Sequence, residues 1–153
     1  MSRTDLTPSE KSRLNELLES IIHPMVYHYG SDRTTVVRYD KRENMYGGEG
    51  VVYLLQMFED NELVNNRIGA YMILPEKGVS AGFHTHGTRN EQELYVVISG
   101  EGEYQEKDNW EGEPRTYPIQ PGNMTTVRGH AFHSVTNTTE QPLVIFVITT
   151  NEP

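Results

Sequence analysis

The residues best able to do chemistry in this chain are His84 and His86, one residue apart, Glu91 and Glu93 shortly after them, and His133 in a later segment. Imidazole and carboxylate are the side chains that hold borderline divalent metals. In an extended strand alternate side chains share a face, so His84 and His86 point the same way and one ion can take both. By the same parity Glu93, Tyr95 and Val97 share one face of the next strand, and His133, Val135 and Asn137 share one face of a later strand. If those faces all turn inward, the imidazoles and the carboxylate converge on a point. An octahedral ion held there keeps two neighbouring positions for water or a bidentate ligand, which suits a reactive site better than a closed structural one.

The elements that must position these donors are short strands between turn signals. Extended segments are expected at 34–39, 51–58, 67–74, 79–86, 92–99, 101–106, 115–119, 123–128, 133–137 and 142–149. The breaks carry Gly47-Gly48, Asp60-Asn61, Pro75 to Gly78, Gly100 to Gly102, Gly112 to Pro114 and Pro121-Gly122. One helix is expected over 7–22. Thr7-Pro8-Ser9-Glu10 reads as a capping box, Leu14, Leu17, Leu18, Ile21 and Ile22 recur on one face, and His23-Pro24 ends it. Residues 1–33 then form an N-terminal helical segment and 34–153 an all-β barrel or sandwich, with the amphipathic helix on the barrel's outside or across a subunit contact.

The 153 residues have the size of one domain, and the net charge is −9. Phosphate backbones and anionic membranes repel such a chain on average, so neither nucleic acid nor membrane is an expected partner. There is no cysteine, Met1 to Glu10 is polar, and no apolar run is long enough to span a bilayer. A cytoplasmic location is the expectation.

With these motifs in view, the chain resembles the cupin superfamily over roughly residues 50–150. The family's first motif, G-x5-H-x-H-x3,4-E-x6-G, is met at Gly78, His84, His86, Glu93 and Gly100. The second, G-x5-P-x-G-x2-H-x3-N, is met at Gly122, His133 and Asn137. The resemblance implies a double-stranded β-helix (jelly-roll) fold and a homodimer. It also implies His84, His86, Glu93 and His133 as ligands of one divalent transition metal: iron, manganese, nickel, zinc or cobalt. Two departures stand out. Six residues separate His86 from Glu93, where Glu91 would satisfy the shorter spacing, so Glu91 stays an alternative ligand. Arg128 replaces the motif's proline, and its glycine falls one place early, at Gly129.

Around the ligands, Tyr95 and Glu91 are candidates for proton transfer. Arg128, Arg67 and His130 are candidates for gripping a substrate oxyanion, His130 also for orienting a ligand. Trp110 and the charged stretch Glu101 to Glu113 read as a solvated hairpin. The expected substrate is a small, oxygen-rich, anionic metabolite: a sugar, sugar acid or keto acid. The spacing His-x-His-x6-Glu-x-Tyr is similar to that of cupin-type phosphoglucose isomerases, which favours isomerisation. Ala81-Gly82-Phe83 does not reproduce the rest of that signature. Metal-dependent dioxygenase or decarboxylase chemistry, or non-catalytic binding of a small ligand, are the alternatives.

Overall fold

The computed structural model describes residues 2–28, 31–33, 36–63 and 66–151, leaving aside the side chains at 2–3, 28, 31–33 and 66–67. Two antiparallel sheets face each other. The larger holds, in spatial order, β1 (Ser2–Thr4), β4 (Arg38–Glu43), β5 (Val51–Gln56), β6 (Asn66–Leu74), β13 (Leu143–Asn151), β8 (Glu91–Ser99) and β11 (Met124–Val127). The smaller holds β10 (Arg115–Ile119), β9 (Gly102–Lys107), β12 (Phe132–Asn137) and β7 (Ser80–Thr85). A separate hairpin pairs β2 (Val26–His28) with β3 (Ser31–Arg33). This is the jelly-roll arrangement, in which the chain crosses between the sheets repeatedly from β6 to β13, so that a site can draw on both.

Alternation sorts the side chains. In β8 the even positions face outward while Glu91, Glu93, Tyr95 and Val97 are buried. The core between the sheets holds Val52, Leu54, Ala70, Met72, Val97, Val135, Ile145 and Val147. A second apolar cluster lies on the outer face of the larger sheet, where Leu14 and Leu18 of α1 (Pro8–Ile21) meet Tyr53, Leu55, Ile73 and Val144. Each fully buried leucine there contributes roughly 1.5–3 kcal/mol by leaving water. The helix therefore packs on the outside of the barrel.

The capping box forms as the residues dictate. The Glu10 amide donates to the Thr7 hydroxyl (3.1 Å), and the Thr7 amide donates to Glu10 Oε2 (2.8 Å). The other oxygen of Glu10 accepts from Lys41 Nζ (2.7 Å) on β4 and from the Tyr53 hydroxyl (3.2 Å) on β5. One carboxylate thus caps the helix and fastens it to the sheet.

Most expected strands appear within a residue or two of their positions. The segment expected at 34–39 differs: its strand runs from Arg38 to Glu43, and residues 34–35 lie outside the described residues. Its last four residues, Asp40-Lys41-Arg42-Glu43, are all charged, so no hydrophobic alternation marks them. Pairing places Tyr39 and Lys41 opposite Leu55 and Tyr53 on the helix-covered face, and Asp40 and Arg42 opposite Leu54 and Val52 on the inner face. The short polar strands β1, β2 and β3 lack any such signal as well. The hairpin between β9 and β10 forms as expected, and the half-exposed Trp110 at its tip packs on Phe132, with ring centres 5.6 Å apart.

The Lys41 ion pair holds the Glu10 carboxyl down to about 2, with the Thr7 amide adding to the effect. A depressed carboxyl contributes stability above its unfolded value, near 4.5, and loses it as pH falls toward 2. Thermal melts of wild type and Glu10→Gln are therefore expected to differ at pH 7, to draw together as pH falls through 4.5, and to converge only below about pH 2. A gap in melting temperature that stays constant across that range would show that the pair does not couple the helix to the sheet.

Candidate metal centre

The donors come from both sheets. His133 of β12 lies directly across from His84 of β7, and the ladder bulges between His133 and Val135. Glu93 projects inward from β8 on the opposite sheet. His86 lies just beyond the end of β7, at φ −99° and ψ −7°, where it starts a short 3-10 turn over Gly87–Arg89. Strict strand parity stops at Thr85, yet the turn still carries the His86 ring inward.

His84, His86, Glu93 and His133 are all buried, and one donor atom from each lies within 4.8 Å of every other. His86 Nε2 is 3.2 Å from His133 Nε2, which is 3.0 Å from His84 Nε2. Glu93 Oε1 is 3.2 Å from the Nε2 atoms of His86 and His133, and 3.9 Å from that of His84. Ligands about 2.1 Å from one ion and at right angles stand about 3.0 Å apart, so most of these edges already fit a metal.

The outward nitrogens decide which way the rings present themselves. His84 Nδ1 donates to the Gly82 carbonyl (2.8 Å), and His86 Nδ1 donates to Glu91 Oε2 (3.3 Å). Neither acceptor has a proton to give, so in their neutral forms both rings turn a bare Nε2 toward the centre. The Tyr104 hydroxyl lies 3.3 Å from His133 Nδ1 and can accept the proton that bares the third Nε2. These tautomers are assigned from hydrogen-bond partners. They form the outer support by which metal-binding histidines are oriented. The chemistry of the donor set fits a divalent cation.

Burial pushes the His133 imidazole down to about 4, keeping it neutral. Burial alone would raise the Glu93 carboxyl, but the three imidazoles gathered around it hold it well below the usual range. For His86 burial lowers the pKa, and the Glu93 and Glu91 carboxylates outweigh it to leave a net rise.

Glu91, the alternative ligand, is buried behind His86, where its Oε2 accepts from His86 Nδ1 and from Arg89 Nε (3.1 Å). Glu93 occupies the centre and Glu91 the outer side of the same ring. Tyr95 is buried beside the cluster, stacked on His133 with ring centres 5.1 Å apart, and its hydroxyl hydrogen-bonds Glu93. Burial pushes that phenol well above its ordinary value. Arg128 and His130 stand exposed on the loop before β12, away from the centre's lining, and the side chain of Arg67 lies outside the described residues.

Several contributors escaped the sequence reading. Tyr104 backs His133. Tyr46 lays its ring flat on His84, with centres 3.9 Å apart and planes 15° from parallel. Tyr46 sits at φ 53°, a costly conformation for an aromatic residue, in the turn between β4 and β5. That turn reaches His84 because position 82 is glycine: a Cβ there would lie 2.3 Å from the Tyr46 carbonyl oxygen. The only advance signal was the cluster Gly47, Gly48 and Gly50. Beside the centre lies a small closed cavity of about 10 Å3, lined by Arg42, Tyr46, Arg89, Glu93, Tyr95 and Thr149 among others. It has about the room of one water molecule.

Residues 70–149 match the family profile described as the cupin domain, and the chain belongs to the cupin family. A glucose-6-phosphate isomerase from Pyrococcus horikoshii is 28% identical over 112 residues, covering 70% of this chain and 59% of that enzyme. This chain therefore matches little more than half the length of that relative. The crystal structure of a predicted oxalate decarboxylase from Thermotoga maritima superposes with a TM-score of 0.65 at 25% identity, covering 74% of this chain and 92% of that one. An oxalate decarboxylase mutant from Bacillus subtilis superposes with a TM-score of 0.53 at 25% identity, over 69% of this chain and 26% of that one. Another structure of that Bacillus enzyme concerns its Mn(II) centres. Among the described residues, no helix is long and apolar enough to cross a membrane.

The double variant His84→Ala/His86→Ala is expected to lose bound metal while keeping the circular-dichroism spectrum of a folded barrel. Full metal content in that variant would remove the centre as drawn. Tyr104→Phe leaves the centre's donors intact but takes away the partner of His133 Nδ1. Its metal affinity, measured by chelator competition, is expected to fall about 10- to 100-fold.

Proposed function

We propose that this protein is a metal-dependent enzyme acting on a small, oxygen-rich, anionic metabolite. The observation that carries the reading is the set of outward acceptors, Gly82, Glu91 and Tyr104, which leaves bare imidazole nitrogens facing a buried carboxylate. When bound, a divalent ion supplies Lewis acidity toward a carbonyl or carboxylate oxygen. The chain's own residues supply the setting. Arg42 and Arg89 border the cavity and offset an anion's charge, while Met45, Leu54, Met72 and Val147 line the rest and exclude water.

Within that class, cleavage or decarboxylation of a short acid is supported by the likeness to oxalate decarboxylases. Isomerisation, favoured from the sequence spacing, keeps the support of the glucose-6-phosphate isomerase likeness. Its expected proton shuttles are otherwise engaged, with the Tyr95 hydroxyl on Glu93 and Glu91 held by His86 and Arg89.

Protein purified without chelators is expected to carry about one transition-metal ion per chain by elemental analysis. It should consume oxalate, glyoxylate or pyruvate at a rate that falls with metal removal. Interconversion of glucose 6-phosphate and fructose 6-phosphate with no acid consumed would select the isomerase instead. Tight binding of these compounds without any product would sink the enzymatic reading.

A further inference from the structure

Helix α1 covers the outer face of the larger sheet, and on the outer face of the smaller sheet lies a cleft of about 370 Å3. Alternation in β7, β9 and β12 builds its floor. His84, Tyr104, His133 and Val135 point inward, so Phe83, Gln105, Ser134 and Thr136 point out. One wall is the turn that carries Tyr46 and Glu49, which is locked onto β7. The Ser80 amide donates to the Glu49 carbonyl (2.8 Å), and the Glu49 amide donates to Ser80 Oγ (2.8 Å). The other wall is Trp110, 59% exposed at the tip of the hairpin between β9 and β10. A cleft built this firmly exists before any ligand arrives, which lowers the cost of binding.

The floor holds a polar group in need of a partner. Ser134 is only 6% exposed, and among the described residues its hydroxyl makes no hydrogen bond. A hydroxyl so far withdrawn from water is normally satisfied. Beside it, Gln105 donates through Nε2 to Thr116 Oγ1 (3.0 Å) and keeps its amide oxygen for another donor.

The lining also selects the ligand's charge. Among the described residues that line the cleft, Glu49 carries the only charge, so nothing there grips an anion. A cation is disfavoured as well. Lys107 Nζ lies 4.5 Å from the centre of the Trp110 ring and 4.3 Å from that of Phe83. An ammonium that already engages these rings repels a second cation. What suits the cleft is a neutral molecule with an apolar face for the indole and hydroxyls along its edge. A pyranose sugar has both. Its C–H groups make one face apolar, and its hydroxyls donate to the Glu49 carboxylate while exchanging hydrogen bonds with Ser134 and Gln105.

We propose that this cleft is a saccharide-binding site, in which one sugar ring stacks on Trp110 and its hydroxyls meet Glu49, Gln105 and Ser134. The site stands apart from the metal centre. His84 lies on the opposite face of β7 from Phe83, so sugar binding here needs no ion.

Trp110 is the chain's sole tryptophan, so its fluorescence reads the cleft directly. Glucose, N-acetylglucosamine, maltose and cellobiose are titrated into wild type with and without prior chelator treatment. At least one is expected to shift the emission saturably with a Kd of about 1 mM or tighter, and chelation is expected to leave that Kd unchanged. Followed by calorimetry, its affinity is expected to fall about 10-fold or more in Trp110→Ala and several-fold in Ser134→Ala. If Trp110→Ala fails to fold, Ser134→Ala decides. No saturable response to any of the four sugars overturns the site, as does undiminished affinity in the folded variants. Binding that chelation abolishes overturns it too, by placing the sugar at the metal centre. Saturation by choline or adenosine without any sugar response overturns it in favour of a cation or a nucleobase.

Discussion

The structure depends on keeping one buried carboxylate charged among three imidazoles. Glu93 is almost wholly withdrawn from water, and an ionised carboxylate in such a place is tolerated only where positive or hydrogen-bonding partners surround it. The rings can provide that surrounding in two ways, by pointing N–H groups at the carboxylate or by sharing a cation with it. Outward acceptors on His84 and His86 favour the second, because they take up the proton the first would need. The centre is thus a set of donors held close by scaffolding that leaves their lone pairs in mutual opposition.

That scaffolding reaches through much of the barrel. Gly82 serves twice: its carbonyl orients His84, and its missing side chain lets the Tyr46 turn close over the same ring. Glu91 orients His86 from behind and is itself anchored by Arg89. Tyr104, on the central β9 of the smaller sheet, backs His133. Each ligand ring is therefore fixed by an element other than its own strand or by the turn next to it. The jelly roll suits this because its two sheets bring β7, β8 and β12 to one interior point. Rigidity and an enclosed, nearly dry cavity follow from the same packing that forms the core.

The helix stands apart from this chemistry. Glu10 caps it and pins it to β4 and β5, while Leu14 and Leu18 cover the larger sheet's outer face. The inner face of β4, on the other side of the same strand, carries Arg42 toward the centre's cavity. One strand without a single aliphatic residue thereby links outer support to inner site, since Lys41 on its outer face meets Glu10 of the helix while Arg42 on its inner face borders the cavity.

The sequence by itself determined the strand-rich fold, the helix with its cap, and the four candidate donors. Those features follow from local periodicity and short-range spacing, which survive in a linear string. It left the choice between Glu91 and Glu93 open because both have the same parity. Only tertiary structure placed Glu93 at the centre and Glu91 behind His86, since the turn at Gly87–Arg89 sets how far β8 is advanced relative to β7. Tyr46, Tyr104, Arg42 and Thr149 were likewise invisible. They reach the site from strands and turns distant in the chain, and convergence across two facing sheets is a property of their register and pairing, which no local pattern encodes.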